Sequence, residues 1–417
     1  MIKHKGHNIY NFKGIIKNVG HLSFLKLLSI LLPLATYPYL IRVLGANVYG
    51  TIIFVQSAIV YFTLVINFGF NLYGAKIVAE NARDNKRLSE IFSSITIIKL
   101  FLFTVTTILL VVLILVVPKV NQLWLLFLIC YIVTLEEIIF PQWYFLGVDK
   151  LKYLTAVGVI SKIIFTALIF MYVKKETDDL LVPIFQGTGV LISGIISGHI
   201  IFYKEKINMI KPPFNVIKKI AAESFPLFIS SSSKQIYVNA NRIIIGSALG
   251  MNEVSYYDLA EKILNVIKLP VIMLVQAAFP TFSRNKKIDE INKLMTLGVS
   301  ITILLMLFTY AFSSGIIELL GSKEMLNTKE ILNILLLSAL FVSLSQFLGN
   351  LRLVVFGHIK KFSQIMVNSV IFYLTGALVL YTTKSIDIHS LSWIAVITEI
   401  YVTSQMLLYI VRNKLLL

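Results

Sequence analysis

The feature that most constrains this chain is a series of apolar runs, each about 20 residues long, that recurs from one end to the other. A helix of about 20 residues crosses a ~30 Å hydrocarbon core. Twelve such spans are read, near 18–42, 48–76, 89–117, 122–146, 153–173, 180–202, 221–249, 254–281, 293–319, 330–355, 362–382 and 390–411. Lipid offers no partner to a backbone N–H or C=O, so each span must close its own hydrogen bonds as a helix. The expected fold is therefore an all-α polytopic membrane protein with about twelve transmembrane helices. Charged residues make up only 14% of the chain, against ~25% in soluble domains. No stretch remains for a soluble domain of usual size. A secreted protein, a cytosolic enzyme and a single-span receptor are excluded. The first run, near Leu22–Leu44, is too long for a signal-peptide core and is read as a retained span.

The single cysteine, Cys130, lies inside an apolar run and cannot form an intramolecular disulfide. The six histidines are scattered without metal-site spacing, so no metal or cofactor is expected. The formal charge of +17 raises the possibility of nucleic acid, but its distribution follows membrane topology. With the N-terminus inside, 22 Lys and Arg fall on the inner connections and termini, against 7 on the outer connections. That ratio places both termini in the cytoplasm. Nucleic-acid binding needs the basic residues gathered on one face, and they are dispersed.

Nine basic residues remain within spans: Lys26, Lys76, Lys99, Lys162, Lys234, Arg242, Lys262, Lys268 and Arg352. A charge at mid-bilayer costs roughly 2.5–3.5 kcal/mol on the mildest scale. Lys76 and Arg352 lie near span ends and are expected to snorkel. Five acids share the interior: Glu136, Glu137, Asp258, Glu261 and Glu399. The balance is basic and suits an anionic cargo. Span eight carries the sharpest pattern. Asp258, Glu261, Lys262, Asn265 and Lys268 form one helical stripe opposite Leu, Ile and Val. Such a face must meet a hydrated cavity or other charged helices.

The longest connection, near Tyr203–Ile220, divides the chain into two sets of six spans, with domains expected at 1–207 and 208–417. Six spans return the chain to its starting side, so the halves form a parallel repeat. A faint echo supports it. Leu44-Gly45-Ala46-Asn47 follows span one, and Leu249-Gly250-Met251-Asn252 follows span seven. Two bundles facing across a polar cleft is a transporter architecture.

Several segments carry a family resemblance. PYLIRVLG (Pro38–Gly45) with Tyr49-Gly50, INFGFNL (Ile66–Leu72), PQWYFLG (Pro141–Gly147), NRIIIGSALG (Asn241–Gly250) and FPTFSR (Phe279–Arg284) lie in order along most of the chain. Together they resemble bacterial polysaccharide-repeat flippases of the Wzx type, in the multidrug/oligosaccharidyl-lipid/polysaccharide (MOP) superfamily. The resemblance implies two facing six-helix bundles. It also implies a cargo, an undecaprenyl-diphosphate-linked oligosaccharide moved from the inner to the outer leaflet of the bacterial cell membrane for O-antigen, capsule or exopolysaccharide. A polysaccharide polymerase and a chain-length regulator are the implied partners. Relatives often carry an acid just before the arginine of span seven, where this chain has Asn241.

On that reading Lys26, Lys234, Arg242, Lys262 and Lys268 are expected to face cargo phosphates or sugar acids. Arg42 is expected to gate the outer end, and Asp258 and Glu261 to couple an ion. A lipid II or multidrug exporter of the same superfamily is the alternative. A membrane polysaccharide polymerase or ligase is the lesser alternative, because the outer connections are too short for the large outer loop such an enzyme uses and no acid pair or His constellation is placed for glycosyl transfer. Proline-bent, charged spans in two halves with no filter-like loop argue against a passive channel.

Overall fold

A computed structural model describes the backbone of residues 12–413 and the side chains of residues 35–413, apart from positions 230, 234, 280 and 284. Among the described residues every regular element is helical. Eleven principal helices are α1 (Phe12–Asn67), α2 (Phe70–Glu80), α3 (Asn85–Val116), α4 (Leu151–Tyr172), α5 (Leu181–His199), α6 (Phe214–Ala248), α7 (Met251–Asn285), α8 (Ile288–Ala311), α9 (Thr328–Gln346), α10 (Ile359–Thr382) and α11 (Ile388–Arg412). Short helical pieces cover Trp124–Gly147 between α3 and α4.

Among the described residues ten stretches are long and apolar enough to cross a membrane. The expected twelve differs from ten for two physical reasons. The first stretch, Ala35–Glu80, runs through a break in α1 at Gly45 (φ 75°, ψ 164°). It therefore counts as one stretch the first two expected spans, of which positions 18–34 have side chains outside the described residues. The second reason is α6. It is 35 residues long, but Ser231–Gln235, Asn239, Asn241 and Arg242 make it too polar to read as a span by composition.

The glycines of the sequence echo have the same conformational role. Gly45 has φ 75° and Gly250 has φ 142°, backbone that only glycine adopts without strain. Each lets the chain turn between two crossings.

Among the described residues four apolar clusters hold the molecule together. The largest joins both halves of the sequence, with Leu44, Tyr49 and Val182 packed with Ile245, Val254 and Met325. It gathers around the connections that the charge count assigns to the outside. The second cluster runs from Phe70 to Ile220. The third and fourth are drawn from Val271–Val355 and Leu348–Ile410. The two halves thus share one core at one end and keep separate cores at the other.

One element crosses between the halves at that second end. The start of α6 packs on the first half: Ile220 belongs to its cluster, and the Tyr73 hydroxyl donates to Glu223. Gly69 (φ 76°) approaches the backbone at Ser224 and Phe228 so closely that a Cβ would lie 2.6 Å from the Phe228 nitrogen. The long connection before α6 is also held. The backbone N–H groups of Asn208 and Ile210 donate to Ser89 and Ser93 of α3.

Helix contacts in lipid depend on close packing and small residues, because hydrocarbon rewards no apolar burial. Gly194 lies against Ile139, and Ser197 Oγ donates to the Ile139 carbonyl at 2.7 Å. Outward-facing apolar residues such as Phe101, Ile108 and Leu115 on α3 are more than half exposed, as a lipid-facing surface requires. Of the two expected snorkelling residues, only Lys76 behaves so. It is exposed and 3.9 Å from Glu80. Arg352 is buried and donates to Asn292 Oδ1. The wide helical turn at Phe347–Val354 points it into the protein. Lys99 is also buried. Its ammonium donates to the Glu137 carboxylate at 2.9 Å and to the Glu137 carbonyl at 2.6 Å. Asn67 donates to the same carboxylate at 2.8 Å.

Candidate functional site

The polar stripe of α7 meets α6 and α1 beneath the shared apolar core. Arg242 on α6 is the centre. One of its terminal nitrogens lies 3.1 Å from Asp258 Oδ1 and 2.5 Å from Glu261 Oε2. Lys262 pairs with the other oxygen of Asp258 one helical turn away. The Lys262 ammonium also donates to the Tyr49 hydroxyl at 3.0 Å and sits 4.7 Å from the Tyr37 ring centroid. The i, i+3, i+4 spacing of Asp258, Glu261 and Lys262 therefore gathers all three on one face beside Arg242, as the stripe implied.

Two cavities flank this cluster. One, of about 340 Å³, is lined by Tyr49, Gln56, Gln186, Arg242, Asp258 and Lys262, among others. The second, of about 400 Å³, is lined by Gln235, Arg242, Glu261, Lys268 and Glu399, among others. Arg242 and Asn265 line both. The sequence suggested an interior that is basic on balance. Among the described side chains the charges lining these cavities are matched: Arg242, Lys262 and Lys268 against Asp258, Glu261 and Glu399. The stripe of α7 brings two acids and two bases, and Arg242 of α6 and Glu399 of α11 add one of each.

Of the residues singled out in the sequence, Arg242, Lys262, Lys268, Asp258 and Glu261 come together here. The side chains of Lys26 and Lys234 lie outside the described residues. Arg42 lies elsewhere, in the seam between the halves. Its Nε donates to the Gly321 carbonyl at 3.2 Å and its Nη2 to the Leu319 carbonyl at 2.9 Å. Lys119 donates across the same seam to Gly246, and Ser255 Oγ donates to the Ala46 carbonyl at 2.5 Å. Several of these bonds reach helix ends, whose last carbonyls have no partner within the helix.

Asn241 is buried in a closed network. Its amide donates to the Tyr257 hydroxyl at 2.7 Å and to the Leu391 carbonyl at 3.1 Å, and its oxygen accepts from Tyr373. The side chain joins α6, α7, α10 and α11, and it carries no charge. Glu399 was only one of five interior acids in the sequence. The structure places it on the second cavity, accepting from the Tyr237 hydroxyl at 3.0 Å. Gln56 and Gln186 were also missed as a pair. They are 130 positions apart, and their 2.8 Å bond arises only once α1 and α5 pack. Gln56 shares a polar helical face with Thr63, Asn67 and Asn71 in the sequence, but nothing there ties it to Gln186.

The family described as "Polysaccharide biosynthesis protein" matches residues 15–286. A "Putative O-antigen transporter" of Escherichia coli (strain K12) is 27% identical over 415 residues, covering 97% of this chain and 99% of that protein. A protein of the same description from Shigella dysenteriae is 26% identical over 371 residues, covering 87% of this chain and 90% of its own. Among solved structures, the inward-facing conformation of a multidrug resistance MATE family transporter of the MOP superfamily superposes with a TM-score of 0.75. It covers 94% of this chain and 98% of its own at 13% identity, a likeness of fold. The chain is an all-helical polytopic membrane protein with the MOP fold.

Proposed function

The chain belongs to the polysaccharide biosynthesis protein family, and from that premise we propose that it is a flippase for lipid-linked oligosaccharides. Its cargo is an undecaprenyl-diphosphate-linked repeat unit, carried from the inner to the outer leaflet of the bacterial cell membrane for O-antigen or a related surface polysaccharide. The names of the curated relatives support a glycan cargo. A polysaccharide polymerase and a chain-length regulator are the partners this role calls for.

The observation that carries the reading is Arg242 held by two carboxylates on the wall between two cavities. A guanidinium prefers planar oxyanions and binds phosphate as readily as carboxylate. Cargo diphosphate and the pair Asp258–Glu261 therefore compete for the same group. Protonation of the carboxylates releases Arg242 and Lys262 to the cargo. Deprotonation recaptures them and expels it. This exchange explains why a carrier of anions keeps a charge-balanced centre. A permanently unpaired cation in lipid is costly, and one bound too tightly to diphosphate does not turn over.

The two halves of the sequence, 1–207 and 208–417, act as the rocking bundles, with α6 strapped across their junction. The termini are cytoplasmic by the charge count, so the end sealed by the shared cluster faces outward. The lipid tail stays in the bilayer while the head group passes through the cleft. The test is a leaflet assay in proteoliposomes, in which a polyprenyl-diphosphate oligosaccharide is followed by its exposure to an impermeant glycosidase. Protein-dependent movement that responds to a pH gradient is expected. No movement by folded protein with its native glycan removes this reading.

A further inference from the structure

A third cavity, of about 380 Å³, lies wholly within the first half of the sequence and takes no part in the charge cluster. Its wall includes Gln56, Glu136, Lys162, Phe165 and Gln186. Pockets of ~300–1,000 Å³ with a few polar groups set in apolar walls are the usual form of a small-molecule site. Gln56, Phe165 and Gln186 also line the central cavity beside Arg242. The two spaces therefore share a wall.

The chemistry of this cavity differs from that of the centre. One carboxylate and one ammonium line it, and no guanidinium does among the described residues. Gln56 Nε2 donates to Gln186 Oε1 at 2.8 Å. A side-chain amide has two donors and two acceptor lone pairs, so that single bond leaves each amide further capacity. Glu136 accepts from Gln142 at 3.4 Å and, like any carboxylate, has room for more donors. Hydroxyl groups, which donate and accept at once, match such a mixed wall. The ring of Phe165 offers a flat apolar surface to the C–H face of a sugar.

We propose that this first-half cavity is a sugar subsite, which takes a neutral pyranose ring of the cargo while Arg242 and Lys262 take its diphosphate. This rests on the flippase reading and adds a division of labour to it. The shared wall at Gln56, Phe165 and Gln186 lets one head group, sugar joined directly to diphosphate, occupy both spaces. The competing explanation is that these polar residues only fasten helices together, as lone polar groups in membranes often do. That role affects stability and makes no distinction between ligands.

The experiment measures binding to the full chain in nanodiscs with two probes, undecaprenyl diphosphate and the same lipid bearing one N-acetylglucosamine. The wild type is expected to bind the sugar-bearing lipid about tenfold or more tightly than the bare one, as one or two added hydrogen bonds imply. Glu136→Leu and, separately, Lys162→Met, which line this cavity and neither central one, are each expected to reduce that ratio about five- to tenfold and to leave the bare lipid unchanged. Arg242→Ala is expected to weaken both lipids alike. Equal wild-type affinity for the two lipids overturns the subsite, and so does an unchanged ratio in the Glu136 and Lys162 variants. Binding of neither lipid by folded wild type overturns the subsite and the flippase reading together. Two variants on different helices, each checked by thermal unfolding, guard against a simple folding defect.

Discussion

A side chain on Gly50 would collide with the backbone of Met251. A Cβ at Gly50 would lie 1.8 Å from the Met251 carbonyl oxygen and 2.9 Å from Ser255 Oγ. Gly50 follows the turn at Gly45, and Met251 follows the turn at Gly250. The two echoed segments of the sequence therefore meet face to face. Two backbones can approach this closely only where a side chain is missing. The contact sits in the same seam as the bond from Ser255 to Ala46.

Gly50→Val is expected to pry this seam apart. The readout is maleimide labelling of Asn265→Cys, which lines both central cavities, in a Cys130→Ala background. Labelling from the side of Gly45 and Gly250 should be slow while Gly50 is kept and at least several-fold faster once it is replaced by valine. Gly315→Val is the control, because nothing lies within 4 Å of a Cβ there. Equal labelling with and without the Gly50 substitution would show that the seam is no gate.

Lys99 and Glu137 make a different kind of pair. Lys99 is 2% exposed and holds both the carboxylate and the carbonyl of Glu137. Neither residue is among those lining the three cavities described above, and the pair is expected to act structurally. Removing one partner of a buried ion pair costs about 3–5 kcal/mol, whereas replacing both with apolar residues is often neutral. Lys99→Met alone should therefore lower the melting temperature markedly. Lys99→Met with Glu137→Leu should recover most of the loss and keep export. Loss of export in a stable double variant would place the pair in the transport path.

The cap of α11 gives a test outside the membrane. Burial pushes the Asp387 carboxyl upward, but bonds from the Ser390 hydroxyl and the backbone N–H groups of Ser390 and His389 outweigh it and hold the group below the usual carboxylate value of 3.8. A lowered folded-state value means that stability is present above the unfolded pKa and is lost as pH falls through the folded one. Asp387→Ala should cost ~1 kcal/mol at neutral pH, as N-cap losses do. The difference between variant and wild type, read by thermal unfolding, should shrink below about pH 4, near the ordinary aspartate value. A difference that persists undiminished at about pH 2.5, well below that value, would mean that the carboxylate is not the source of the stability.

The residues show why the sequence revealed some features and hid others. The stripe of α7 was legible because Asp258, Glu261, Lys262, Asn265 and Lys268 share one helix, and helical periodicity is a property of local sequence. The turns at Gly45 and Gly250 were legible because the repeat put glycine where φ must be positive. The charge match at the centre was not legible. It depends on Arg242 reaching across from α6 to two acids on α7, and a count of interior bases cannot foresee such a pairing. The Gln56–Gln186 bond and the place of Glu399 were hidden for the same reason. The burial of Arg352 was misread because span-end position suggested snorkelling, while the wide turn that directs it inward leaves no mark in composition.

The exchange proposed at Arg242 makes the sharpest functional prediction. Arg242→Glu places a third carboxylate against Asp258 and Glu261, so it should abolish export while the protein still inserts. Arg242→Ala leaves both acids without their guanidinium and should destabilise the fold by about 3–5 kcal/mol, as the loss of one buried partner does. Arg242→Ala combined with Asp258→Asn and Glu261→Gln relieves that penalty. The combination should restore stability without restoring export, because the oxyanion-binding fork is still missing. Arg242→Lys keeps the charge but loses the planar fork, and should retain a fraction of activity. Export at wild-type rate in the stable triple variant would mean that Arg242 holds the helices together and never touches cargo. The measurements are the melting temperature in detergent and the leaflet assay, made on the same preparations, so that a failure to fold and a failure to carry are told apart.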